Sequence, residues 1–335
     1  MTDRRISMAD VAERAGVSGQ TVSRVVNGSP RVDPDTRARV EAAMAALGYR
    51  PHRAARALRT GRTQTLGLVV STLASVGNSR MLQAVADAAA SRGYALTVVT
   101  LGADSGVAEA FERLAEQGVD GAIVLNEATA RVRGADVRAA GLRLVVVDSP
   151  RDDRFGPQQY GIVETDHAGG AGSAVRHLLE LGHRTVHHLA GPEGSFAASE
   201  RERGWRAALE AVGASVPDLV RGDWTSASGH GAASALIAAG ATAVFAANDQ
   251  MALGLLRGIA EAGRAVPGDV SVIGFDDVAD SADYRPPLTT VHQDFDTLGA
   301  RAVAALVDGI EAGAPAAFET VPTRLVIRES AGPVR

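Results

Sequence analysis

Residues 8–27, MADVAERAGVSGQTVSRVVN, read as two short helices joined by a tight turn. Ser7 is placed to N-cap the first helix, and Asp10 sits in its first turn, where a negative charge suits the helix dipole. Val11, Ala12 and Ala15 give that helix an apolar face. Gly16 ends it, because glycine takes the left-handed conformation of a helix C-terminus without strain. Ser18 then caps a second helix whose Val22, Val25 and Val26 face inward. Ser18, Gly19, Gln20, Thr21, Ser23 and Arg24 are left on or near the outer face. Two helices, a glycine turn and a polar, arginine-bearing second helix describe a helix-turn-helix DNA reader; an ordinary helical hairpin is the plain alternative.

Working outward, Asp33-Pro34 starts a third helix that runs to Leu47 and stops at Gly48. Residues 1–48 thus form a small all-α head. Residues 49–62, YRPHRAARALRTGR, hold helix formers but almost no apolar face, and so read as a linker able to fold against DNA. Residues 1–62 carry 12 Arg against 6 Asp and Glu, whereas the remainder carries 22 against 33. A basic head on an acidic body places nucleic-acid binding in the head alone.

From Thr65 the pattern turns to α/β. Strands are expected at Leu66–Val70, Ala95–Val99, Gly121–Leu125, Leu144–Val147, Val186–Ala190, Ala243–Ala246 and Val270–Gly274. Helices are expected between them at Ser79–Arg92, Val107–Gln117, Ala168–Leu181, Glu200–Val212, Ser228–Ala239 and Asp249–Ala262. Continuous apolar strands flanked by helices mean parallel sheets covered on both faces. About ten such units exceed one small sheet, so residues 63–335 read as two similar lobes, the second spanning roughly 165–290. A last strand near 323–327 should return to a lobe already built.

Composition narrows the function. The chain has 335 residues, 46% of them hydrophobic, and no apolar run reaches the ~18 residues of a membrane span. Its polar N-terminus lacks a signal-peptide core, so a cytoplasmic, nucleoid-associated protein is expected. The absence of Cys excludes disulfides, thiolate metal sites and a Cys nucleophile. All 34 basic residues are Arg, a coding bias given no functional weight. No cofactor or metal is expected.

In doubly wound sheets ligands bind past the carboxyl ends of the strands. Ser71, Asn126, Asp148, Asn248 and Asp276 fall there, with Trp224 and Arg201 nearby. Two carboxylates, an Asn, an Arg fork and a Trp face suit a sugar; simple turn and helix caps explain Asp148 and Asp276 equally well. Other suggestive residues are weaker. Asp166-His167-Ala168-Gly169-Gly170 lacks the Lys of a phosphate loop and reads as a helix start. His187 and His188 alternate faces on a strand, which with His183 argues against a shared metal. Ser195 lacks a nucleophile elbow.

The ordered motifs MADVAERAGVSGQTVSRVVNG, TRARVEAAMAALGYRP, LGHRTVHHLAGP, RERGWRAAL, GDW, FAANDQMALG, VPGDVSVIGFDD and PPLTTVHQDF resemble the lactose/galactose repressor family of bacterial transcription factors, from about residue 6 to 329, and most closely its lactose-type members. The resemblance implies a two-lobed effector domain of periplasmic-binding-protein type. It puts Ser18, Gly19, Gln20, Thr21, Ser23, Arg24 and Asn27 at the operator, with Gln20 suited to adenine and Arg24 to guanine. Gly19 stands where lactose-type members hold a larger side chain, so the operator does not carry over. Leu58 matches the minor-groove leucine of the family's hinge helix, with Arg53, Ala55 and Arg56 beside it. Asp148, Arg201, Asn248 and Asp276 are implied around the effector, with Trp224 and Phe295 as walls. Ser71, Asn126, Gln250 and Gln293 are further contacts, and Ser75 and Met81 set the far side. Residues 71–81, STLASVGNSRM, replace the family's usual proline and paired aromatics, which disfavours a flat purine.

These features imply a repressor released from a near-palindromic double-stranded DNA operator by a galactoside-type inducer. The alternatives are a corepressor response, a non-DNA sugar-binding protein, or a glycosidase using Asp148 and Asp276. No heptad tail precedes Arg335, so a homodimer is expected.

Overall fold

The computed structural model describes residues 6–26, 28–49, 61–101, 106–125, 128, 142–150 and 160–334. The chain divides into two compact units, Met1–Thr63 and Gln64–Arg335.

In the first unit, α1 (Met8–Ala15) opens on a capping box: Ser7 and Asp10 each accept the other's backbone N–H. Gly16 closes it at φ 64°. Ser18 caps α2 (Gly19–Val26) by accepting the Thr21 N–H at 3.1 Å. Asp33 caps α3 (Pro34–Leu47), with proline in the first turn. Val11, Val22 and Val40, all fully buried, meet at the centre of the head.

The second unit holds two six-stranded sheets. The first has the order β11-β5-β4-β3-β1-β2. Its strands are β1 (Thr65–Val70), β2 (Ala95–Thr100), β3 (Gly121–Leu125), β4 (Arg143–Val147), β5 (Tyr160–Thr165) and β11 (Phe318–Val321). The second has the order β12-β10-β9-β8-β6-β7. It comprises β6 (His187–Ala190), β7 (Val220–Arg221), β8 (Ala243–Ala246), β9 (Ser271–Asp276), β10 (Thr289–His292) and β12 (Arg324–Val326). Helices α4 (Val76–Ser91), α5 (Val107–Glu116) and α10 (Phe295–Ala312) cover the first sheet; α6 (His167–Glu180), α7 (Phe196–Glu210), α8 (Ser226–Ala238) and α9 (Asp249–Glu261) cover the second.

Each strand expected from its apolar run is present, with ends within a residue or two. Strands β5, β7, β10 and β11 and helix α10 were not anticipated. Strand β7 has two residues, and β11 is half exposed, so neither shows a long apolar run. The sheets are not wholly parallel: β12 returns antiparallel to β10. The chain crosses between lobes three times, at β5–α6, β10–α10 and β11–β12. The cleft between the lobes lies at the carboxyl ends of β4, β8 and β9, where the doubly wound arrangement puts ligands.

Candidate functional site

Two surfaces carry the expected residues. On α2, Ser18, Gly19, Gln20 and Arg24 are exposed, while Thr21 and Ser23 are half-buried. The Ser18 hydroxyl lies 2.9 Å from the Thr21 hydroxyl, so both also serve the cap. A side chain at Gly19 would project into open space. Asn27, Arg53, Ala55, Leu58 and Arg56 lie outside the described residues, as does Asn126.

The second surface is the interlobe cleft, about 410 Å³ and open to solvent. From the first lobe it is lined by Ser75, Gly77, Asn78, Asp148 and Phe295; from the second by Ala197, Arg201, Trp224, Asn248 and Asp276; Gln293 lies on a crossing. The cleft therefore gathers Asp148, Arg201, Trp224, Asn248, Asp276, Gln293 and Phe295. It does not gather Ser71, which is half-buried past β1, nor Gln250, whose Oε1 instead accepts from Asn248 Nδ2 at 3.3 Å. Met81 is 1% exposed and packs into the first-lobe core rather than the cleft.

Arg201 is the centre of the site. It sits inside α7 rather than at its start, and only 4% of it is exposed. Its Nη2 donates to Asp276 Oδ1 at 3.4 Å and to Gln293 Oε1 at 3.1 Å. Nη1 donates to the Ala247 carbonyl, and Nε to His167 Nδ1 at 3.3 Å. The guanidinium lies 3.7 Å over the Phe275 ring and 5.5 Å from the Trp224 ring. A cation held on so many sides lines the cleft in a fixed pose.

Asp276 ends β9 rather than following it. Burial pushes its carboxyl up to about 6, although the Arg201 guanidinium opposes the rise. Behind it, Asp249 is fully buried and accepts from Thr290 Oγ1 at 2.6 Å and the Val278 N–H at 2.9 Å. Burial, then the nearby Asp276, raise Asp249 well above the carboxylate range. Asn248 N-caps α9 through Oδ1, and its Nδ2 holds the Trp224 carbonyl at 3.1 Å. Asp148 Oδ1 accepts the Thr165 N–H at 2.9 Å. The cap and turn roles of Asn248 and Asp148 are thus real, and both residues line the cleft as well.

Left-handed backbone concentrates here. Asp148 has φ 53°, Trp224 φ 73° and Asp276 φ 109°. Each costs on the order of 1–3 kcal/mol for a residue with a Cβ, and such strain gathers at ligand sites. Gly191 explains how Trp224 fits: a Cβ there would stand 2.3 Å from the indole. Ser75, Gly77 and Asn78 form the first-lobe wall. Asn78 and Gly77 escaped sequence reasoning because small and amide residues at a helix start read as caps. Among the described residues no group of three or more His, Cys, Asp and Glu is placed to hold a metal. Asp166 and Ser195 N-cap α6 and α7.

A profile described as "Bacterial regulatory proteins, lacI family" matches residues 7–52, and one described as "Periplasmic binding protein-like domain" matches residues 175–331. The Lactose operon repressor of Klebsiella pneumoniae is 38% identical across 100% of this chain and 94% of its own length. The chain belongs to the lacI family of bacterial regulatory proteins. The regulator CelR of Thermobifida fusca is 37% identical over 98% of each chain. A lac repressor dimer solved with operator and the anti-inducer ONPF superposes with a TM-score of 0.85 at 34% identity, over 98% of this chain and 100% of that one. A CelR–cellobiose complex gives a TM-score of 0.71 at 36% identity, over 97% and 100%. As a lacI-family member the chain is a DNA-binding transcriptional regulator with an effector domain, not an enzyme. No helix among the described residues is long and apolar enough to cross a membrane.

Proposed function

We propose that the protein is a repressor released from its operator by a neutral glycoside held between the two lobes. The observation that carries this is Arg201, held by Asp276, Gln293 and His167 beside the Trp224 face. A guanidinium and carboxyls that alternate around a cleft read hydroxyls, and an indole seats the apolar face of a pyranose. Two carboxyls against one guanidinium disfavour an anionic sugar. The relatives named for lactose and cellobiose support a β-linked disaccharide, with a galactoside favoured by the lactose-type motifs.

Residues 1–48 read DNA through Ser18, Gly19, Gln20, Thr21, Ser23, Arg24 and Asn27. Residues 49–62 form the hinge, in which Leu58 wedges the minor groove and Arg53 and Ala55 follow it. Residues 63–335 bind effector and pair two chains, so two heads meet a near-palindromic operator. The repressor works at the nucleoid, in the cytoplasm. Effector shifts the lobe angle and with it the spacing of the hinges. A coupling of ~1–3 kcal/mol changes operator affinity ~5–150-fold.

A thermal-shift panel of lactose, galactose, cellobiose, ribose and hypoxanthine tests the reading. A true effector at ~100 times its Kd adds ~2.7 kcal/mol of stability. Adding that sugar to protein bound to a DNA site selected from a random pool should release it. Tighter DNA binding makes the sugar a corepressor, and a response to hypoxanthine alone overturns the sugar reading. Leu58→Ala should weaken DNA binding and leave sugar affinity within about twofold; unchanged DNA affinity removes Leu58 from the hinge role.

A further inference from the structure

His167 belongs to neither surface, yet it touches both halves of the effector site. Asp166 caps α6 by accepting the Gly169 N–H at 2.8 Å, which fixes His167 two residues past β5, on the first crossing between lobes. The ring is 1% exposed and packs against Phe275, centroid to centroid 5.9 Å, and edge-on to Phe196 at 6.4 Å. Arg201 Nε donates to its Nδ1. A nitrogen that accepts carries no proton, so the neutral ring bears its hydrogen on Nε2. That Nε2 lies 3.1 Å from Asp148 Oδ1, but is not aligned for a hydrogen bond.

A buried donor left misaligned beside a carboxyl oxygen calls for a reason. Here the two groups sit on different lobes. Asp148 follows β4 of the first sheet, whereas α6 and Arg201 belong to the second lobe. Asp148 and Arg201 both line the cleft and His167 does not. The contact to Asp148 thus runs between lobes, whereas the contact to Arg201 lies within the second.

We propose that His167 is an interlobe positioning residue, which links effector-reading Arg201 to Asp148 and completes its Nε2–H to Oδ1 hydrogen bond in only one of two lobe angles. The contact rests on geometry alone; its regulatory consequence rests on the effector reading above. Binding of a glycoside to Asp148 and Arg201 selects one angle, and the ring passes that choice to the first crossing. Two discrete arrangements of one contact are what a coupling element requires.

Two experiments on the full chain test this. The first needs no effector: histidine side-chain NMR, with the His167 signals assigned by their loss in His167→Gln. An Nε2–H ring whose signals move in Asp148→Asn and in Arg201→Met is expected. An Nδ1–H ring, or signals that ignore Asp148→Asn, overturns the proposal. The second uses lactose and the selected DNA site. His167→Phe keeps the ring packing and removes both nitrogens. It should bind DNA within twofold of wild type without sugar, while the sugar-induced loss of DNA affinity falls at least threefold. His167→Gln, which keeps a donor and an acceptor, should restore most of it. A folded His167→Phe protein with the wild-type response overturns the proposal. If His167→Phe does not fold, the NMR arm decides. Wild-type protein that ignores lactose fails the galactoside reading, and the NMR arm still decides the contact.

Discussion

In the first lobe the sheet runs β11-β5-β4-β3-β1-β2, and in the second β12-β10-β9-β8-β6-β7. The two orders correspond position by position, apart from the direction of the last strand. The walls they give the cleft do not correspond. The second lobe offers Arg201, Trp224, Asn248 and Asp276, each tied to protein neighbours. The first offers Ser75, Gly77 and Asn78, short groups at the start of α4, with Asp148 and Phe295. A shared frame decides where side chains stand; the loops decide which ones stand there. Affinity should therefore reside mainly in the second lobe, whose groups need little ordering on binding. The first lobe should decide what fits beyond the first ring.

The largest test of that division is Arg201→Ala. It strips Asp276, Gln293 and His167 of a shared donor. Removing the guanidinium also removes a charge-assisted hydrogen bond to the sugar, worth ~1.5–3 kcal/mol, so sugar affinity should fall ~10–150-fold while DNA binding without sugar persists. Calorimetric titration and DNA-binding anisotropy measure the two. Release at the wild-type sugar concentration would show that the second lobe is not the reading half. Next comes Gly191→Ala. Its added methyl would stand 2.3 Å from Trp224 and must displace the indole. A tenfold loss of sugar affinity is expected, ~1.4 kcal/mol. Unchanged affinity would remove the indole from the contact.

The same contrast governs what the sequence made legible. The head was read almost whole, because its signals are local: Ser7 and Asp10 three apart, Gly16 and Gly48 at helix ends, Asp33 before Pro34. Buried strands such as β3 and β8 were legible as unbroken apolar runs. Strands β7 and β11 were too short or too exposed for that signal. Within the cleft, Asp148, Asn248 and Asp276 were marked by their place at strand ends. Gln293 meets Arg201 from 92 residues away, and Arg201 and His167 meet across 34. No spacing rule reaches that far. Met81 packs into the core and not the cleft, because one helical turn separates a cleft-facing position from a core-facing one.

A smaller effect comes from pH. Burial raises Asp276 to about 6 in the free protein, above its ordinary 3.8. A carboxyl raised on folding contributes stability that is full below pH 3.8 and is lost as pH rises through 6. Sugar hydroxyls donate to the ionised form, so binding favours it and releases a proton. Sugar affinity should fall below pH 6, by at most about tenfold per unit, and Asp276→Asn should flatten the profile. Equal wild-type affinity at pH 5 and pH 8 would argue that no hydroxyl donates to Asp276.

The smallest effect is the most discriminating, because it repeats the Gly191 substitution on the opposite wall. In Gly77→Ala the new methyl lies 4.0 Å from Phe295 Cε1, an ordinary van der Waals contact with no clash. Gly77 is the second residue of α4, where alanine loses less chain entropy than glycine, so stability should rise by about 0.5–1 kcal/mol. The methyl enters the side of the cleft meant for the second ring. Galactose affinity should therefore stay within twofold of wild type, while disaccharide affinity falls about threefold. The same added carbon thus separates the lobes: at Gly191 it weakens every sugar, and at Gly77 only the longer ones. Equal losses for galactose and lactose at Gly77 would place the first ring against α4 and reverse the roles of the two walls.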